Sequence, residues 1–183
     1  MNPLFRAALD ELGGALAQVD DADVDRAVDL IAGARRVALY GVGREGLQIK
    51  GLAMRLFHLG LSASVVGDMT CAALGPDDLL IVSAGPGHFS TVRALMTVAH
   101  DAGARSLLVT AQADGACARA ADAVLRVPAQ TMADDHQAQP SVLPMGSLYE
   151  GALYVLFEVL VLRLRERLAV DPAAMRARHT NLE

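Results

Sequence analysis

A chain of 183 residues that is 53 % apolar but only 4 % aromatic has enough aliphatic material for a sizeable core, which excludes a disordered polymer. A formal net charge of −5 argues against a nucleic-acid or membrane surface, while leaving room for a small local anion site. Cys71 and Cys117 show no metal-ligand spacing, the N-terminus carries no signal-peptide pattern, and no charge-free run is long enough to span a membrane. The expectation is a soluble, reduced, cytoplasmic protein.

The first apolar positions, Leu4, Phe5, Ala8, Leu9, Leu12 and Leu16, have helical spacing over 4–18, weakened by Gly13-Gly14. Asp21 or Asp23 is a candidate cap for a second helix that buries Val24, Ala27, Val28 and Ile31 and ends near Gly33. Two helices ahead of any strand have little sheet to cover, so at least one is expected to pack on a partner subunit.

From residue 36 the chain alternates. Short, mostly apolar runs at 36–40, 62–66, 79–83, 106–110 and 123–127 read as parallel strands buried on both faces. Helices are predicted between them at about 46–59, 90–102 and 115–121. The order implies an α/β fold, a three-layer doubly wound sheet of five parallel strands with extra N-terminal helices. The layout expected is one domain over 1–183, with N-terminal helices in 1–34, the α/β core in 35–170 and a tail in 171–183. No internal repeat, low-complexity tract or linker interrupts it.

Residues 128–146 break the rhythm, and a loop that long inside a compact domain is expected to be a functional lid. The helix that follows, 147–169, is apolar nearly all round, which makes it central either to the core or to an oligomer interface. The charged end, Met175 to Glu183, would ordinarily fray.

Chemistry is expected at the carboxyl ends of the strands. Gly41-Val42-Gly43-Arg44-Glu45-Gly46 matches G-x-G-x-x-G after a strand, with Asp68 where a ribose-binding acid would sit; the plainer explanation is that strand-to-helix turns favour glycine. Ser83-Ala84-Gly85-Pro86-Gly87-His88-Phe89-Ser90-Thr91 suits a second anion cradle, or else Ser90 or Thr91 simply caps the next helix. Ser147-Leu148-Tyr149-Glu150 fits a capping box, with Glu150 either a cap or a general base at the mouth of a pocket. His58 reads as a core histidine. His88 and His136 sit in loops without helical metal-binding spacing, and no metal or cofactor is expected.

Together these stretches resemble the sugar isomerase (SIS) family, and within it the 6-phospho-3-hexuloisomerases. The matching segments are Gly41-Val42-Gly43-Arg44 with Met54-Arg55-Leu56-Phe57-His58-Leu59-Gly60, Val66-Gly67-Asp68-Met69-Thr70, and Leu79-Leu80-Ile81-Val82-Ser83. Leu143-Pro144-Met145-Gly146-Ser147-Leu148-Tyr149-Glu150 and Arg178-His179-Thr180-Asn181-Leu182 complete the match, in order along nearly the whole chain. The resemblance implies a five-stranded flavodoxin-like sheet, a tetramer with a site shared between subunits, and isomerisation between a 3-ketose 6-phosphate and fructose 6-phosphate through an enediol; a homodimer or homotetramer with shared sites is expected. It implies Glu150 as the proton-shuttling base, His179 as a proton donor or orienting group reaching a neighbouring subunit, and Arg44 on phosphate or carbonyl. Substrate contacts would come from Gly43, Arg44, Glu45, Asp68, Thr70, Ser83, Gly85, Gly87, His88, Ser90 and Thr91.

The sequence departs from that family where phosphate is held. Glu45 stands where the first turn usually has serine. In the second loop, usually Ser-Gly-Ser-Gly-x-Thr, Gly85 replaces a serine and His88 the threonine. Two hydroxyl donors are lost and a carboxylate is added. At ~4 Å, like charges repel by roughly 4 kcal/mol at an effective dielectric of 20, against roughly 1 in water. Phosphate binding then requires Glu45 to be turned onto Arg44 or neutral. The expectations left open are a phosphosugar isomerase, an isomerase of an uncharged or amino-bearing sugar, and a non-catalytic sugar- or sugar-phosphate-binding protein.

Overall fold

The computed structural model describes residues 2–136 and 141–182. Helix α1 (Pro3–Leu16) opens with Asn2 as its cap, the side chain accepting from the Leu4 N–H at 2.9 Å. Helix α2 (Asp21–Gly33) is capped by Asp20 rather than by Asp21 or Asp23, which lie inside its first turn. Only Asp20 has the extended backbone that aims its carboxylate at the next turn's N–H groups, while Asp21 and Asp23 complement the helix dipole.

Strand β1 (Val37–Gly41) leads into α3 (Gly43–His58), then β2 (Ala63–Val65), β3 (Leu79–Ser83), α4 (Ser90–Asp101), β4 (Arg105–Thr110) and β5 (Ala123–Arg126). The five strands are parallel, in the order β2-β1-β3-β4-β5. The expected doubly wound sheet is therefore present. Strand β2 is shorter than predicted and only half-buried, because it is an edge with one neighbour. Helix α3 starts earlier than predicted, immediately after the glycine turn.

The helix predicted over 115–121 does not form. That connection holds only a single 3₁₀ turn, Ala118–Ala120. The segment is pinned instead by the Cys117 N–H on the Gly87 carbonyl at 3.2 Å, a bond outside the helical pattern.

Two apolar cores flank the sheet. Against one face α2, α3 and the long α5 (Ser147–Arg167) bury Ile31, Ile49, Leu56 and Leu153 with Leu39 and Ile81 of the strands. Against the other, α4 buries Val92 and Met96 with Leu80 and Val82. Each fully buried Leu or Ile contributes roughly 1.5–3 kcal/mol. Helix α5 is central to the first core, yet Tyr154, Val155, Val159 and Leu162 remain exposed on it, as do Leu4, Phe5 and Leu9 of α1. The ordering of the last residues differs from a frayed end: α6 (Pro172–Ala177) forms, and Arg178 Nη1 donates to the His58 carbonyl at 3.1 Å. Among the described residues no helix is long and apolar enough to cross a membrane.

Candidate active site

Because β1 hands its chain to α3 on one face and β3 hands its chain to α4 on the other, a crevice opens between their carboxyl ends. This is the topological switch point at which open α/β sheets bind ligands. The crevice is a cavity of about 690 Å³, built from the start of α3, the turn after β3, the start of α5 and the segments that precede it.

The turn after β1 is shaped by a close approach. A Cβ on Gly46 would stand 2.5 Å from the Gly41 carbonyl oxygen, so α3 can start directly off the strand only with glycine there. The glycine pattern thus serves helix–strand packing, and it puts Arg44 and Glu45 at the cavity. Both are in the first turn of α3 but point to different partners. The Arg44 Nη2 group donates to the Met145 carbonyl at 3.0 Å and to Ser147 Oγ at 3.1 Å, and lies 2.9 Å from Glu150 Oε2. Glu45 turns the other way, and its Oε2 accepts the Gly85 N–H at 3.0 Å and the Ser83 hydroxyl. Of the arrangements that would relieve its charge, pairing with Arg44 is not the one adopted.

Glu150 sits at the start of α5, where the predicted capping box is replaced by another device. The N-cap is Gly146, in the left-handed region at φ +81°, and Ser147 is the first helical residue. A serine already inside the helix cannot cap it, so its hydroxyl is available to Arg44 and the Glu150 side chain faces the cavity. Burial raises the Glu150 carboxyl above its ordinary range, with Arg44 pulling it back. Burial also raises Glu45, opposed by its bonds from Ser83 and Gly85 and reinforced by the Glu150 charge. A proton-accepting carboxylate beside a guanidinium, next to a second and more deeply buried carboxyl, is an arrangement suited to moving a proton on a bound polyol.

Of the residues singled out from the sequence, Gly43, Arg44, Glu45, Gly85 and Glu150 line the cavity. Ser83 lies directly behind it, fully buried. Gly87 shapes the turn in the left-handed region at φ +86°. His88 is exposed, with Nδ1 3.8 Å from Cys117 Sγ. Ser90 and Thr91 are exposed in the first turn of α4 and do not cap it, since the N-cap is Phe89. Asp68 and Thr70 are exposed beyond β2 and outside the cavity lining. His179 stacks on the buried His58, ring centroids 5.2 Å apart, at the far end of α3. With α3 rising 1.5 Å per residue, that end is roughly 20 Å from Arg44.

The residue that sequence reading missed is Tyr149. Its ring is 2 % exposed and its hydroxyl lies 3.2 Å from Ser83 Oγ. A Cβ on Gly85 would stand 2.8 Å from that ring, so the glycine at 85 and the tyrosine at 149 occupy one volume between them. Burial and the nearby Glu45 charge push the phenol well above its ordinary range. Thr131, Met132 and Pro144-Met145-Gly146, from the long loop expected to be a lid, also line the cavity; 137–140 of that loop lie outside the described residues. Glu11 of α1 ties the loop down, accepting the Val142 N–H at 3.0 Å and the Ser141 hydroxyl. Among the described residues no three His, Cys, Asp or Glu side chains gather as a metal site.

No family model matches the chain. It is 37 % identical to a 3-hexulose-6-phosphate isomerase of Mycobacterium gastri over 174 residues, 95 % of this chain and 87 % of that one. The chain belongs to the 3-hexulose-6-phosphate isomerase family. A second member, from Bacillus subtilis, is 29 % identical over 175 residues, covering 96 % of this chain and 95 % of its own. Among solved structures, one from Methanococcus jannaschii, described as inferring a function of 3-hexulose-6-phosphate isomerase, superposes with a TM-score of 0.84. It is 25 % identical and covers 96 % of this chain and 98 % of that one. The SIS resemblance read from the Pro144-Met145-Gly146-Ser147 segment and the strand pattern therefore holds for both fold and family.

Proposed function

We propose that this chain isomerises a 3-ketose 6-phosphate, 3-hexulose 6-phosphate, to fructose 6-phosphate through an enediol. The observation that carries the proposal is Glu150, a carboxylate with raised proton affinity that faces the switch-point cavity beside the Arg44 guanidinium. In this reading Glu150 takes the proton from the hydroxyl-bearing carbon next to the ketone and returns it to the former carbonyl carbon. Arg44 holds Glu150 in place and stabilises negative charge on the enediolate oxygen. The reaction redistributes hydrogen within one molecule, so it consumes no external oxidant or reductant.

The reading includes a cytoplasmic homodimer or homotetramer. The apolar residues exposed on α1 and α5 support an assembly. His179 belongs to this proposal as a residue given to a neighbouring subunit's cavity, since roughly 20 Å separates it from Arg44 of its own chain.

The test is turnover of 3-hexulose 6-phosphate by the wild type and by Glu150→Gln. Loss of a general base costs about a hundredfold or more, and an unimpaired Glu150→Gln variant would remove the proposed base. One observation favours a second reading, that of a non-catalytic sugar-binding protein: the added carboxylate of Glu45 in the turn expected to hold phosphate. Ligand-induced thermal stabilisation without turnover of any phosphosugar would select it.

A further inference from the structure

Three features of the cavity converge on Glu45. The residue is buried, 7 % exposed, and one of its carboxylate oxygens takes both the Ser83 hydroxyl and the Gly85 N–H. The neighbouring side-chain donor that a serine at 85 would supply has no space, because the Tyr149 ring fills the volume of its Cβ. The charged groups lining the cavity are Arg44, Glu45 and Glu150, and the single cation among them is turned to Glu150.

A carboxylate oxygen and a phosphoryl oxygen make the same demands, since each is an anionic acceptor that seeks N–H and O–H donors. A donor pair at a strand-to-helix turn that would hold one is here already holding the other. Resting on the reading of this cavity as a sugar-phosphate site, we propose that Glu45 is an internal anion that competes with the substrate's phosphoryl group for the Ser83–Gly85 cradle. It is thereby the residue that sets the preference between phosphorylated and unphosphorylated ligands. A phosphoryl group enters by displacing this carboxylate or by binding beside its protonated form. A ligand bearing a hydroxyl or ammonium at that end can instead donate to the carboxylate where it stands.

The groups around Glu45 are Ser83 from β3, the Gly85 N–H from the turn after it, and Tyr149 and Glu150 from α5, with Arg44 of its own helix lining the same cavity but turned to Glu150. Nothing in that set except Arg44 offsets a second negative charge. Phosphate binding is therefore expected to weaken as pH rises from 4.5 to neutrality and Glu45 loses its proton.

The experiment measures binding of inorganic phosphate, fructose 6-phosphate and fructose to the full chain by calorimetry, across that pH range. It compares the wild type with Glu45→Ser and Glu45→Gln. Glu45→Ser frees both donors and adds a hydroxyl, so phosphate and fructose 6-phosphate should bind about tenfold tighter or more, the worth of one charge-assisted hydrogen bond. Affinity for fructose should not rise with them. Glu45→Gln keeps the shape and one acceptor oxygen, guarding against a misfolded serine variant. It should fall between the other two and lose the part of the pH dependence that Glu45 supplies, leaving only the second ionisation of the phosphate itself. Equal phosphate affinity in all three proteins, or weaker binding in Glu45→Ser, overturns the proposal. Binding of inorganic phosphate needs no turnover, so the absence of isomerase activity in every variant would count against the proposed reaction alone.

Discussion

Arg44 and Glu150, separated by more than half the chain, meet at 2.9 Å across the mouth of the switch-point crevice. Their contact joins the first turn of α3 to the first turn of α5, and so fixes the spacing of the two helices where substrate must enter. Burial raises the Glu150 carboxyl and Arg44 lowers it, so removing Arg44 leaves only the first effect. A base works deprotonated. The acid limb of kcat/KM in Arg44→Gln should therefore move to higher pH than in the wild type, and an unmoved or lowered limb would show that Glu150 is not the titrating base.

Glu45 makes stability depend on pH with a definite sign. Its folded-state affinity for a proton is raised above the ordinary value of 4.5, chiefly by burial. The folded protein then holds a proton that the unfolded chain has released. Stability is full below the unfolded value and falls as pH rises through the folded one. Thermal melts of Glu45→Gln should therefore fall less than the wild type's between pH 4.5 and neutrality. Parallel curves for the two proteins would contradict a buried, proton-binding Glu45.

Gly46→Ala tests the turn itself. The added methyl would meet the Gly41 carbonyl, a backbone atom held in the sheet beside β3, and neither side can yield cheaply. Overpacking of this kind costs about 1–3 kcal/mol, read as a lowered denaturation midpoint. Because Arg44 and Glu45 share that helical turn, ligand affinity should fall together with stability.

Gly85→Ser puts back the serine usual in the family, and the geometry predicts that it harms this chain. Its Cβ would press on the Tyr149 ring at 2.8 Å, at a cost of about 1–3 kcal/mol. Combined with Tyr149→Ala, which opens the same volume, the pair should lose less stability than the two single losses added together. Strict additivity in that double-mutant cycle would show that the two positions do not compete for space.

The shared-site part of the proposal has its own test. If His179 acts in a neighbour's cavity, Glu150→Gln and His179→Ala subunits, each inactive alone, should regain activity when refolded together, because mixed assemblies can contain one site with both groups intact. Failure of every mixture to regain activity would confine His179 to a structural part beside His58.

The alternation of short apolar runs with helical periods determined the sheet, since a strand buried on both faces admits little but Val, Ile, Leu and Ala, as β3 shows. The same local chemistry gave the glycine turn and marked Arg44, Glu45 and Glu150 as groups with a choice of partner. It did not decide among those partners. Ser147 and Glu150 have the spacing of a capping box in sequence, but a left-handed Gly146 takes the cap and releases both side chains to Arg44. Residues 115–121 carry a weak helical pattern, and a backbone bond to Gly87 overrides it. Tyr149 gave no local sign of its place behind the site, because the cavity it seals is assembled from segments distant in sequence. Propensity and periodicity act within a few residues, whereas the orientation of Glu45 depends on Ser83, Gly85 and Tyr149 arriving from two other elements. The sequence by itself therefore marked Arg44, Glu45 and Glu150 as groups of the crevice, and only tertiary packing added Tyr149, left Asp68, Thr70 and His179 outside, and decided which groups face each other.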